Sequence, residues 1–451
     1  MSITELRSFQ SLTDNVGQFN FKGKKVLIPE MNKTGLRLLV AAFRSSGIDA
    51  TVMETYKGLD LGLEYSSGKE CYPCQVTMGD ILHHMKTEQE KKGSDFNVND
   101  YIYFIAEANG PCRFGMYNKY QRIVLDSFPE YRDLKIGSLT TEDGYSLNGL
   151  IDKEMAGDLR KSAFFAVLIG DIMDRMLWRI RPYEKEGGLA DDFMESSLSR
   201  MATAFEKYGV KKDFNKILDE LEGVVKESKT LIDIDIPQKP LIGIVGEIYL
   251  RSHANSNQNL IRTIEKHGGE VVNASIIEWV NYISYSDFKK TSSELRLNLK
   301  QFSFKNALKL LKEALGFRAQ LFYQEMRQKQ AYDRINPLLD IEGDHKVSHL
   351  DDVLRQEDLF SFDVGTEACL SIAGILEYAK EGFNGVVNVY PFTCMPSTTT
   401  SAIINPVMNK MGIPYLDTPY DSSFQPGREA AIRTFMYQAA EHMKRHGRKS
   451  H

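Results

Sequence analysis

The chain has 451 residues, of which 42% are hydrophobic and 26% charged, with a formal net charge of −5. This is the composition of an ordinary globular protein with room for two or three cored domains. The mild acidity gives no whole-chain electrostatic case for nucleic acid or an anionic membrane, so neither is expected as a partner.

The N-terminal stretch MSITELRSFQSLTDNVGQFNF has no apolar run of signal-peptide length. GKKVLIPEM then reads as a short buried strand, TGLRLLVAAFRSSG as an amphipathic helix stopped by glycine, and IDATVME as a second strand. A β-α-β opening of this kind favours a parallel sheet with helices on its faces. A long helix is expected from about Val76, and DYIYFIAEA is a further strand.

Residues from about 152 to 230 read as mainly helical, with apolar residues at helical spacing around Phe164, Leu168 and Ile172. Asp171, Asp174 and Arg175 interrupt the most apolar part, which marks a buried helix rather than a membrane span. DIDIPQKP reads as a linker. The pattern then restarts, with LIGIVGEIYL a strand, NQNLIRTIEKHGG a helix and EVVNASIIEW a strand. A charged helical region over about 284 to 335 precedes the strand GVVNVYPF, the helix TTTSAIINPVMNKMG, the strand IPYLDTP and a last helix from about Gly427. The basic tail HMKRHGRKSH is expected to be solvated. The reading is α/β: two Rossmann-like parallel-sheet domains, residues 1–238 and 239–451, with additional helical segments and a metal site in the cleft between them.

Five cysteines in a chain this long do not form a disulfide framework, which points to a reducing, cytoplasmic setting. Cys71 and Cys74 lie in ECYPCQVTMGDIL, just before a helix, while Cys112 and Cys394 each lie between a strand and a helix. A proline accompanies each turn: Pro73, Pro111 and Pro396. Loops leaving the carboxyl ends of parallel strands open on one edge, where ligands bind. Helix N-termini also offer unpaired N–H groups and a partial positive charge, which favours thiolate. Four thiolates so placed suit a metal centre, and both zinc and an iron–sulfur cluster accept such a set. A redox disulfide would need only the C-x-x-C pair and would leave the other two turns unused. Cys369, inside GTEACLSIAGILEYAKEG beside Leu370 and Ile372, reads as a buried core thiol.

SGKECYPCQVTMGD, GPCRFGMYNKYQ, RIRPYE, LIGIVGEIYLR with SNQNLIRTIEKHGGEVVNASIIEW, and PFTCMPSTTTSAIINPVMNKMGIPYLDTPYD carry a family resemblance, in order, from about residue 22 to 437. They resemble the cysteine-bearing portion of the acyl-CoA dehydratase activase-related proteins. These are related to 2-hydroxyacyl-CoA dehydratase and benzoyl-CoA reductase components and to double-cubane cluster proteins. The resemblance implies an oxygen-sensitive iron–sulfur protein of anaerobic metabolism. It would take a low-potential electron from an ATP-dependent actin-like activase or another donor of that kind. It carries the ligand role to Cys71, Cys74, Cys112 and Cys394; four well-placed cysteines are too few for a double-cubane centre, so one [4Fe-4S] cluster is expected, with room for a homodimer holding one cluster per subunit. Zinc remains the alternative metal, and a non-catalytic electron-transfer or scaffold subunit the alternative role. FDVGTEA matches an actin-like phosphate loop alone, without partner motifs, and is read as a cap for the helix of Cys369.

Arg113, next to Cys112, is placed to offset cluster charge. Glu247, Tyr249, Arg251 and His253 surround the turn after LIGIVG and are the candidates for lining a substrate cleft. His83 and His84 read as helix-surface or partly buried residues, and Arg181 with Glu184 as an ion pair or a substrate contact.

Overall fold

The computed structural model describes residues 14–108, 110–140, 145–301 and 303–449, so most of the N-terminal stretch considered for a leader lies outside the described residues. The chain forms two compact units, Met1–Ala163 with Ala202–Asp213, and Phe164–Met201 with Phe214–His451. Each contains a parallel sheet flanked by helices, which makes the protein α/β.

The first sheet is built from β1 (Val16–Gly17), β2 (Lys25–Ile28), β3 (Asp49–Val52), β4 (Tyr101–Ala106) and β5 (Lys135–Leu139), with helices α1 (Lys33–Ser45), α2 (Leu59–Glu64), α3 (Tyr72–Lys92) and α4 (Tyr117–Asp126). Its order is β1-β5-β4-β2-β3, all parallel. Alternation along β4 sends Tyr101, Tyr103 and Ile105 to one face, against Met78, Ile81 and Leu82 of α3 and Leu125 of α4. Ile102 and Phe104 face the other way, against Val40 and Phe43 of α1. Each such fully buried side chain contributes about 1.5–3 kcal/mol of apolar transfer free energy.

Helix α2 approaches α3 backbone to backbone. A Cβ on Gly62 would stand 1.9 Å from the carbonyl oxygen of Gln75, and one on Gly58 would stand 2.0 Å from that of Gly79. Only glycine allows this approach, which seats the start of the cysteine-bearing helix.

Three helices follow in the chain: α5 (Lys153–Ile180), α6 (Leu189–Tyr208) and α7 (Phe214–Ser228). The second unit continues with β6 (Leu241–Gly246), α8 (Ile248–Ser252), α9 (Leu260–Lys266), β7 (Glu270–Asn273), α10 (Ile276–Lys300), α11 (Phe304–Ile335), α12 (Val347–Glu357), α13 (Ala368–Lys380), β8 (Gly385–Pro391), α14 (Met395–Met411), β9 (Tyr415–Tyr420) and α15 (Arg428–His446). Its sheet, β7-β6-β8-β9, is also parallel throughout. The order repeats that of β3-β2-β4-β5 in the first sheet, although no repeat is visible in the amino acids. In both, connections leave the first strand of the motif in opposite directions, so a switch point lies between β2 and β4 and another between β6 and β8.

Several element boundaries differ from the sequence reading. The strand expected through Leu250 ends at Gly246, whose φ of 116° and close approach to Val389 require glycine. Glu247 then caps α8 by accepting from the N–H groups of Tyr249 and Leu250 at 3.1 and 2.9 Å. The strand expected through Trp279 stops at Asn273 because Ser275 caps α10, its Oγ accepting from the N–H of Glu278 at 3.0 Å. The charged helical region expected over about 284 to 335 is formed by an antiparallel pair, α10 and α11.

The basic tail is not simply solvated. Helix α15 runs to His446, and Arg448 pairs with Glu270 at 2.7 Å with both side chains 2% exposed. Lys449 reaches Glu342 at 2.9 Å and Glu381 at 3.0 Å. Among the described residues no helix is long and apolar enough to cross a membrane.

Candidate functional site: four cysteines at helix starts

Cys71 is the N-cap of α3 and Cys74 lies in its first turn, with Pro73 between them. The helix therefore starts earlier than the expected Val76 and includes Cys74. Proline fits there because first-turn N–H groups have no intrahelical acceptor. The N–H of Cys74 donates to the carbonyl of Cys71 at 2.8 Å, closing the turn around the pair. Both thiols are buried. Burial pushes the Cys74 thiol well up; Cys71 and Glu70 push it further, and Arg113 opposes them.

Cys112 caps the single helical turn Arg113–Met116 that leads from β4 into α4. This turn is tied to the Cys71 turn. The Arg113 guanidinium donates to the carbonyl of Lys69, and the Glu70 carboxylate accepts from the N–H and hydroxyl of Ser67, each at 2.9 Å. One layer in, the Gln121 amide of α4 donates to Thr77 Oγ1 of α3 at 2.8 Å. The first unit thus brings Cys71, Cys74, Cys112 and Arg113 to neighbouring turns. Further along α3, His83 and His84 are half-buried, and Asp80 is buried; it accepts from Thr55 Oγ1 and the Tyr56 N–H at 2.8 and 2.7 Å, and burial raises its carboxyl to about 7.

Cys394 in the second unit repeats the arrangement of Cys71. It is the N-cap of α14 with extended backbone angles, and a proline, Pro396, stands two positions on. The thiol is buried and pushed well up by that burial and by Glu247, while the N–H and hydroxyl of Ser397 draw it down. Cys112 follows β4 and Cys394 follows β8, matching strands of the two sheets. Cys369 is buried near the start of α13, and its Sγ donates to the carbonyl of Ser361 at 3.3 Å. The N–H of Ala368, the first residue of this helix, donates to Thr366 Oγ1 at 2.9 Å, while the N-cap residue Glu367 makes no side-chain capping bond.

The turn after β6 is a packed polar hub. Arg251, 1% exposed, donates to the carbonyls of Gly246 and Ser275 at 2.7 and 3.0 Å and to Glu367 at 3.1 Å. It gathers the ends of β6 and β7 and the start of α13. His253 is buried, its Nδ1 paired with Ser256 Oγ at 2.7 Å, and burial lowers it to about 4, leaving the ring neutral at pH 7. Tyr249 packs its ring on that imidazole at 4.8 Å. Arg181 and Glu184 do not pair with each other: Arg181 binds Glu265 at 2.7 Å, and Glu184 caps the N–H groups of Gly188 and Ala190.

Sequence reasoning missed two carboxylates at this edge. Burial raises Glu367 to about 8 and Glu278 to about 7. The S-x-x-E spacing of Ser275 and Glu278 was the available signal, being that of a capping box. Among the described residues, no three His, Cys, Asp or Glu side chains stand in a group that would hold a metal ion. A scan of protein-family models finds no match to the chain, and neither does a search of curated proteins.

Proposed function

We propose that this chain is an iron–sulfur redox protein in which Cys71, Cys74, Cys112 and Cys394 hold a [4Fe-4S] cluster on two Rossmann-like scaffolds. Its role would be similar to that of the 2-hydroxyacyl-CoA dehydratase and benzoyl-CoA reductase components. A separate ATP-dependent activase would supply the low-potential electron. The observation that carries the reading is positional: each of these cysteines stands at an N-cap or in a first helical turn, and Cys112 and Cys394 follow matching strands.

The donor chemistry fits such a group in kind. Soft sulfur donors suit such a group; the Ser397 N–H draws the Cys394 thiol down and Arg113 opposes the rise at Cys74, each against the burial that pushes these thiols up. Burial of Cys71, Cys74 and Cys394 keeps water from the sulfurs, and burial is one lever on cluster potential. A bound cluster would supply one-electron chemistry.

The test is iron and acid-labile sulfide analysis, with the visible spectrum, on protein purified without oxygen. Brown protein that loses its iron in Cys71→Ala and Cys394→Ala but retains it in Cys369→Ala is the expected result. Zinc without sulfide, or metal-free protein with a Cys71–Cys74 disulfide, would overturn the reading.

A further inference from the structure

Helices α10 and α11 pair along their length, tied by Asn281 to Gln328 at 2.9 Å, Gln320 to Ser284 at 2.8 Å, and Arg318 over the Phe288 ring at 5.6 Å. On α11 the buried line is Ala307, Ala314, Leu321 and Ile335, at intervals of seven or fourteen residues. A seven-residue repeat keeps a seam on one side of a helix in a coiled pair, and the alanines allow close approach.

One position further round lies a second line with the same repeat, and it faces outward. Leu308, Leu315 and Phe322 are 58%, 60% and 66% exposed, with Leu311 and Met326 extending the stripe at 42% and 41%. In a two-helix pair these positions face water and are ordinarily polar. From Leu308 to Met326 the stripe covers about 27 Å of helix, long enough for several turns of a partner.

Charge indicates what covers it. Residues 294–318 carry Arg296, Lys300, Lys305, Lys309, Lys312 and Arg318 against Glu294 and Glu313, a surplus of four positive charges (six less two) in a chain of net −5. All six basic side chains are exposed. A second copy meeting this face on its own counterpart would bring like charges together. The exposed line on α11 is a seam in heptad register, the form a partner helix packs into, with exposed Leu297 and Leu299 of α10 beyond it.

We propose that the outer face of α11 is a docking site for an amphipathic helix of a partner protein, apolar along its seam and acidic on its flanks. The α10–α11 pair would become a three-helix bundle, with the partner's carboxylates against Lys305, Lys309 and Lys312. This inference does not depend on the cluster reading.

The probe is a synthetic four-heptad peptide with leucine at both seam positions and glutamate on both flanks, titrated into the full chain by fluorescence anisotropy. Saturable binding is expected, weakening as salt rises and at least about tenfold weaker in Leu315→Glu and Phe322→Glu. Both positions are exposed, and an unchanged circular dichroism spectrum confirms that each variant is folded. No binding, equal binding to the variants, or equal binding of a lysine-flanked peptide would overturn the proposal. Leu315-dependent sedimentation with phosphatidylcholine–phosphatidylserine vesicles would overturn it in favour of lipid. Dimerisation abolished by Leu315→Glu would overturn it in favour of a second copy.

Discussion

The two sheets share a strand order but differ in what stands at their carboxyl edges. The first carries Cys71, Cys74 and Cys112 beside an exposed arginine, Arg113. The second carries Cys394 near Glu247 and Glu367, with a fully buried arginine, Arg251. Helix α3 precedes β4 as α13 precedes β8. The start of α3 bears the C-x-x-C pair, while the corresponding start bears Glu367 and the packed Cys369. The same connection can present soft donors or a buried ion pair, so the residues at these turns, and not the sheet order, decide the chemistry.

The sharpest break in the comparison is predicted at the arginines. Arg251→Ala leaves Glu367 and two buried carbonyls without their donor, at an expected cost of about 3–5 kcal/mol in chemical denaturation. Arg251→Lys should recover only part of this, because an ammonium cannot reproduce the planar fork that reaches three acceptors. Gly62→Ala comes next, since its Cβ would meet backbone that cannot swing aside; a loss of about 1–3 kcal/mol is expected. Gly157→Ala, with open space around it, should not destabilise the protein and serves as the control.

Two buried aspartates sharpen the comparison through pH. Asp80 in the first unit and Asp171 in the second are each raised to about 7, chiefly by burial. Between pH of about 4, the ordinary carboxyl range, and about 7, the folded chain keeps a proton that the unfolded chain has released. Stability therefore falls as pH rises through that window, by at most about 1.4 kcal/mol per pH unit for each group. Asp80→Asn and Asp171→Asn should each flatten part of this slope in urea titrations. An unchanged slope in both would mean that other groups set it. The smallest effect is expected at Arg113→Ala, within about 1 kcal/mol, because the side chain is exposed. A large loss there would make the two edges alike.

The cysteines' place near helix starts was legible, but the helix expected from about Val76 starts at Tyr72, and Pro73, two residues after Cys71, is the local mark of that first turn. Strand β5 escaped notice because KIGSL mixes lysine, glycine and serine into a short run. Gly137 is tolerated there because Ile102 and Phe21 pack over it. The overrun of β6 came from reading EIYL as more strand, when the positive φ of Gly246 turns the chain and Glu247 caps the next helix. Arg251 and Glu367 are separated by 116 positions, so nothing local announces their pairing. The tail was misread for the same reason: its lysines and arginines resemble a solvated end until their distant carboxylates are known.

The Arg448–Glu270 pair has a consequence for the order in which the second unit is made. Their positions differ by 178 residues, so a ribosome exposes β7 long before Arg448 has been polymerised. Until then Glu270 has the earlier-made Tyr183 hydroxyl at 2.6 Å and the looser Arg179 at 3.6 Å, and lacks the tightest of its charged partners. The tail's clamp on β7 is therefore expected to close last in translation, and nascent chains arrested before Arg448 should be cut by protease faster there than the full chain.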